Sequence, residues 1–455
     1  MTALDRPTRD GTDGPGGPPA RVPFPVVDEV ARHCLQEEEP ETVHIEVHLP
    51  GPLDPDRLRR AFTGALHRHP RILMREAARP WYGRRYEWEL TPEADVEAVL
   101  FPAPDRDALK HARDRALRDA PPLTASPPIR LEVVRSQGTG AGSGAEAAEG
   151  DGGDTVLFLT INHTALDGPA CLRVLATAAE LYGGRDNSPT APPTRTAPEA
   201  PHASDTPATW APPARVAHGT PEPPQHHGNG MLVAELSVPH RPKGAPYTVN
   251  DQLMAATALM ITHWNREHGA RPRPLHITMP VDDRPRGTDM PIGNGTRLVE
   301  VPFAPEELDA SDMAALLRRT ADRTRALKVR PRPQLGHGAS LLTAPVVPVA
   351  WRAAFTRGLR RAAGPWTSTT LLSNIGRVPY ALDFGAEAGR AHAVWFSAPA
   401  RMPRGLTVTT ASTAGRLHVA LRWSRALLSH GDGQHLRDLF EHYLHATEHP
   451  TGSAP

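Results

Sequence analysis

The spacing of apolar residues changes along the chain, and each change marks an element. Residues 155–161 (TVLFLTI) form a continuous apolar, β-branched run of strand length. Leu172, Leu175, Ala176 and Ala179 then recur at i, i+3, i+4 and i+7, which predicts a helix with Pro169 in its first turn and Gly183 closing it. Between them stands Asn162-His163-Thr164-Ala165-Leu166-Asp167-Gly168. One imidazole thus leaves the end of a buried strand, and an Asp-Gly pair turns the chain into a helix N-terminus. Upstream, residues 41–49 alternate as a strand, and Asp54-Pro55 caps a helix to His67 with Leu58, Ala61, Phe62 and Leu66 on one stripe. A short helix over 26–35, strands at 86–90 and 129–134, and a charged helix over 105–118 complete the first half.

The second half starts with a strand at 231–238. Thr248-Val249-Asn250-Asp251 is a capping box, and it opens a helix with Leu253, Ala256, Thr257, Met260 and Trp264 on one face. Strands at 275–281 and 297–303, an amphipathic helix over 306–327 and a basic helix over 349–363 follow. The arginines of that basic helix are expected to form a solvated face. Strands at 369–374 and 391–397, a hairpin turning at Thr413-Ala414-Gly415 and a helix over 434–447 close the chain.

Composition divides this series. Proline, 51 of 455 residues, is about twice its usual share, and the excess is concentrated. Residues 1–22 read as a disordered tail, 138–153 as a flexible hairpin tip, and 184–229 as a proline-rich tether outside any core. Two lobes of similar size remain, 23–183 and 230–450. Lys+Arg and Asp+Glu both count 51, which argues against nucleic acid or an anionic membrane as a partner recruited by bulk charge. Two cysteines, Cys34 and Cys171, cannot build a disulfide framework, and a reducing compartment fits. No run reaches transmembrane length and no apolar signal core opens the chain, so a cytoplasmic, monomeric protein is expected. His44, Glu46 and His48 share a strand face that reads as solvated, without a third metal ligand in view. His218, His226 and His227 lie in the tether, which does not preorganise ligands. With no HExxH or comparable spacing either, no metal site is expected.

The ordered motifs resemble those of the CoA-dependent acyltransferase superfamily: the strand-HxxxDG-helix unit, TVND with its helix, PVDDRPRG with PIGN, LLSNIGRVP, and the terminal pair of strands. The superfamily includes nonribosomal condensation domains, polyketide-associated acyltransferases, wax-ester synthases, plant HxxxD acyltransferases and chloramphenicol acetyltransferase. The chain looks most like a stand-alone condensation-domain-like protein over residues 23–450. The resemblance implies an α/β fold of two chloramphenicol-acetyltransferase-like lobes, each a mixed β-sheet flanked by helices, with an active-site tunnel between them and His163 midway along it. It implies that Asp167 faces away from the substrate and pairs with an arginine, whose place Arg284 matches, with Arg286 next. Two departures stand out: Asn162 occupies the position where condensation domains have a first histidine, and Asp383-Phe384-Gly385 lacks the tryptophan that follows the equivalent motif in the plant enzymes.

The chemistry expected of these residues is acyl transfer. Attack on a thioester needs a base for the acceptor's proton, and an imidazole that titrates near pH 6.5 suits that task. No GxSxG elbow is present, so an acyl-enzyme is not required. The Gly168 amide at the helix start can polarise the developing oxyanion, and Ser373 and Asn374 are candidates to line the tunnel. The expected reaction moves an acyl group from an acyl-CoA or from phosphopantetheine on an acyl or peptidyl carrier protein to a small-molecule amine or hydroxyl, in secondary-metabolite biosynthesis, with no permanently bound cofactor. The alternatives are a cyclisation or other bond-forming step on a carrier-tethered intermediate, and a catalytically silent carrier-protein-binding module.

Overall fold

The structure is a computed structural model, and it describes residues 20–35, 39–135, 154–189, 211–223, 228–285, 287–329 and 342–449. In chain order the first half forms β1 (Arg21–Pro23), α1 (Val26–His33), β2 (Thr42–Leu49), α2 (Pro55–Arg68), β3 (Met74–Glu76), β4 (Glu87–Leu90), β5 (Val99–Leu100), α3 (Ala108–Arg118), β6 (Ile129–Arg135), β7 (Thr155–Asn162) and α4 (Gly168–Tyr182). The second half forms β8 (Asn229–Ser237), α5 (Val249–Glu267), β9 (Leu275–Asp282), β10 (Thr296–Phe303), α6 (Met313–Val329), α7 (Val349–Ala362), β11 (Thr370–Arg377), β12 (Ala393–Ser397), β13 (Leu406–Thr413), β14 (Arg416–Ser424) and α8 (His430–Ala446).

Local chemistry accounts for these boundaries. Asp54 caps α2 by accepting from the Arg57 amide at 2.6 Å, with Pro55 as the first helical residue. The Thr248 amide donates to Asp251 at 2.7 Å and closes the capping box that starts α5. Helix α4 is buried on nearly every side, between α2 and strands β2 and β7, which is why its sequence is largely apolar. The β13–β14 turn places Ala414 at φ 50° and Gly415 at φ 80°, two consecutive left-handed residues, as a tight hairpin requires.

The strands build two large mixed sheets and a small one. The six-stranded sheet has the order β10-β9-β11-β13-β14-β8, and the three-stranded sheet β1-β4-β3. The five-stranded sheet runs β12-β2-β7-β6-β5. Its edge strand β12 comes from the second half of the chain and pairs antiparallel with β2, Val394 opposite Val47. Val349, Phe384, Val394 and Phe396 accordingly pack in the first core, so the cores do not divide at residue 230.

Several expectations change against this architecture. Residues 21 and 22 belong to β1 rather than to the tail, paired with β4 and tied by an Arg21–Glu89 ion pair at 3.2 Å. Residues 211–223 are a strap on the second core rather than a free tether. Val216 is buried there, the Ala217 amide donates to Asn265 Oδ1 at 2.7 Å, and its carbonyl accepts from Trp264 Nε1 at 2.9 Å. His218 is exposed on this strap, whereas His226, His227, the tip at 138–153 and Arg286 lie outside the described residues.

The face of β2 that carries His44 and Glu46 is buried rather than solvated. Helix α3 covers it and supplies the counter-charge: Arg113 donates to Glu46 at 2.7 and 3.0 Å, and Arg115 donates to Glu132 on β6 at 2.8 Å. Burial opposes the charge of Glu46, but hydrogen bonds from His48 and Arg113 outweigh it and lower its pKa to about 2. Helix α7 meets the expectation of a solvated arginine face at Arg357 and Arg361, which are exposed, and departs from it elsewhere. Arg352 is buried against Glu29 at 2.8 Å, while Trp351 and Phe355 on the outer face are 73% and 65% exposed. The reason is docking: α7 packs on α1 through the stripe Val349, Arg352, Ala353 and Thr356. Among the described residues no helix is long and apolar enough to cross a membrane.

Candidate functional site

His163 is placed by the end of β7. Its amide donates to the Glu41 carbonyl at 2.9 Å, just before β2, which fixes the backbone across the sheet. Its Nδ1 lies 3.1 Å from the carbonyl of Leu166 in the same turn. A carbonyl only accepts, so Nδ1 carries the hydrogen and Nε2 keeps its lone pair. The half-buried ring lines a cavity of about 340 Å³ shared by both halves of the chain. Gly168 and Val43 line it from the first half, and Ser373, Asn374, Phe396 and Arg404 from the second.

Asp167 is buried and its carboxylate is fully engaged. Oδ1 accepts from the Ala170 amide at 3.0 Å and caps α4; Oδ2 accepts from Arg284 Nη2 at 2.7 Å and from the Gly295 amide at 2.9 Å. Arg284 also donates to both oxygens of Asp282, at 2.8 and 3.0 Å, and to the carbonyls of Pro291 and Gly293, at 3.2 and 2.8 Å. Burial works against its charge, yet Asp282 and Asp167 outweigh that and raise its pKa. The guanidinium therefore holds the HxxxDG turn against the loop between β9 and β10. Gly295 is required beside it, since a Cβ there would lie 2.3 Å from Arg284 Nε.

Asn162 is buried behind the turn and does not line the cavity. Its amide donates to the Pro121 carbonyl at 2.9 Å and its carbonyl accepts from the Thr164 amide at 3.1 Å. Asn374 is held at a bulge of β11, accepting from the Gly376 amide at 2.8 Å and donating to Asn250 of the TVND motif at 3.2 Å. The structure thus brings His163, Asp167, Gly168, Arg284, Ser373 and Asn374 to one place, with Asn162 supporting the turn.

Sequence reasoning missed other residues of the site. Asn294 donates to Asp28 at 2.9 Å and to the Thr164 carbonyl at 3.1 Å, bracing the motif from the opposite half; the PIGNG run was its only trace. Glu41 lines the cavity in an ion pair with Arg401. Burial raises the pKa of its carboxyl, against the pull of His163. Arg404 donates to Ser368 Oγ at 2.9 Å and is lowered to about 10 by burial and by the charge of Arg360. Ser397 is buried in the lining, and its hydroxyl has no hydrogen-bond partner among the described residues.

No family model matches the sequence. An uncharacterised protein of Mycobacterium tuberculosis, found in strains CDC 1551 and H37Rv, is 28% identical over 387 residues, covering 79% of this chain and 84% of its own. Among solved structures, the condensation domain of the monacolin K polyketide synthase MokA aligns at TM-score 0.62 and 12% identity, over 95% of this chain and 98% of that one. The chain has the condensation-domain fold. The trichothecene 15-O-acetyltransferase TRI3 of Fusarium sporotrichioides (TM-score 0.61, 12% identity, 95% and 97% covered) shares it. So does the starter condensation domain of rhizomide synthetase RzmA in complex with C8-CoA (TM-score 0.60, 14% identity, 90% of each chain covered). The condensation-domain fold accounts for the architecture: two mixed sheets flanked by helices, neither closed into a barrel.

Proposed function

We propose that the protein is an acyltransferase of the condensation type, joining an acyl group from a thioester to an amine or hydroxyl acceptor. The observation that carries this reading is the tautomer of His163: Nδ1–H is committed to Leu166, which leaves Nε2 as a base in a cavity lined by both halves. Nε2 accepts the acceptor's proton as nitrogen or oxygen attacks the thioester carbonyl. The oxyanion that forms is stabilised by the Gly168 amide at the N-terminus of α4. Collapse breaks the C–S bond, and the departing thiolate takes the proton back from His163. No residue is acylated. Asp167 and Arg284 act on the motif's geometry rather than on the reacting atoms.

A phosphopantetheinyl donor, on CoA or on a carrier protein, carries phosphate, and Arg360 and Arg404 put positive charge on the lining. The structural neighbours support the same class, since one was solved with C8-CoA and another is named an acetyltransferase. To test the reading, purified protein is incubated with acyl-CoA and with acylated carrier protein, each with a panel of amines and alcohols. Thiol release is followed together with intact mass of the products. Acceptor-dependent thiol release with one new amide or ester supports it; release into water alone, or none with any pair, contradicts it.

A further inference from the structure

His44, Glu46 and His48 lack a third ligand when the sequence is read alone, but the fold brings one in from elsewhere. His392 stands just before β12, His48 near the end of β2 and Asp154 just before β7. These are three neighbouring strands, and the ladder aligns their ends: Ala393 pairs with His48, Leu49 pairs with Thr155, and the His392 amide donates to the His48 carbonyl at 3.1 Å. His48 Nδ1 and His392 Nε2 lie 3.8 and 3.2 Å from Asp154 Oδ2, and one donor atom from each residue falls within 4.8 Å of the other two.

The second nitrogen of His48 decides what the first can do. His48 Nε2 lies 2.7 Å from Glu46 Oε1. Glu46 is a buried carboxylate fixed by Arg113, so it accepts and Nε2 carries the hydrogen. In the neutral ring Nδ1 then turns a lone pair toward a carboxylate oxygen, an arrangement that a cation between them satisfies. A carboxylate donating orientation to an imidazole through its far nitrogen is the usual support of a metal-bound histidine.

We propose that His48, Asp154 and His392 bind a divalent transition-metal ion of the zinc class. Two imidazole nitrogens and one carboxylate oxygen suit zinc, with water as a fourth ligand, whereas calcium and magnesium prefer all-oxygen shells. Ligands at about 2.1 Å in a tetrahedron stand about 3.4 Å apart, so small rotations of the partly exposed Asp154 and His392 side chains complete the set. The site is outside the chemistry. Thr42, at the other end of β2, pairs with Asn162 beside His163, and six residues of strand separate the two ends by about 20 Å. Its role is structural: it clamps β12, the strand returned from the second half, to β2 and β7.

The test uses the untagged full chain, freed of metal with a chelator and titrated with zinc chloride by calorimetry, with cobalt(II) absorption as a second probe. One zinc per chain is expected, with a rise in melting temperature on binding. His392→Ala and Asp154→Asn alter partly exposed side chains and leave the fold intact; each should weaken zinc at least about tenfold and abolish the thermal shift. Three results overturn the proposal: no stoichiometric binding, binding unchanged in both variants, or binding lost instead on replacing His226 and His227.

Discussion

Asp167 is where the two halves of the chain meet at the level of single side chains. Its carboxylate is buried, caps a helix of the first half and takes from the second the guanidinium of Arg284, whose side chain is 10% exposed. Removing one member of such a pair leaves the other uncompensated, at about 3–5 kcal/mol. Asp167→Ala should therefore lower unfolding free energy in denaturant titrations and activity with it. Arg284→Ala should cost more, because it strands Asp282 as well. The double variant should fall short of the sum by about 0.5–3 kcal/mol, and strict additivity would rule out the coupling. The pairing was legible because HxxxDG and PVDDRPRG are local strings with a family pattern. Asn294 and Glu41 were not legible, because their importance lies in contacts made across 130 residues or with Arg401, and no local spacing announces either. Asn162 shows the converse: it marks a departure from the family pattern, yet its amide serves the turn and not the cavity.

At the scale of elements, periodicity located the long helices and central strands, and erred where burial is supplied from elsewhere. The polar face of β2 read as solvated because charge normally faces water, whereas α3 brings arginines that make its burial tolerable. The two- and three-residue strands β1, β3 and β5 are too short for any period to show. The strap at 211–223 is the sharper lesson. Its composition cannot build a core, yet it borrows one, through Asn265, which accepts from the Ala217 amide and donates to the Arg215 carbonyl at 2.8 Å. Asn265→Ala strands both groups and should cost about 1–3 kcal/mol. Replacing residues 211–223 by a Gly/Ser segment of the same length should clearly lower the melting temperature. An unchanged melting temperature would mean that the strap contributes nothing.

The whole molecule carries several histidines that burial keeps neutral. His69, against Thr177 at 2.8 Å, is lowered to about 4 by burial and then by the charge of Arg173; His33 and His44 are lowered to about 4 and about 3, burial again first. The unfolded chain takes up these protons below about pH 6.5 and the native chain does not, so stability should fall as pH drops from 6.5 toward 4. Glu29 and Glu41, raised by burial, act in the opposite sense, so a difference measurement isolates the imidazole. His69→Gln, which can still bond Thr177, should reduce the drop in melting temperature between pH 7 and pH 5; an unchanged drop would contradict the assignment. What joins these scales is the cavity between the sheets, where one imidazole has its free nitrogen set by a backbone carbonyl. The most direct measurement is single-turnover acyl transfer by His163→Ala, beside its denaturation curve. The variant should unfold like the parent, since among the described residues the His163 ring bonds only its own turn, and should transfer at least about two decades more slowly. A folded His163→Ala protein turning over near the parent rate would remove His163 from the mechanism.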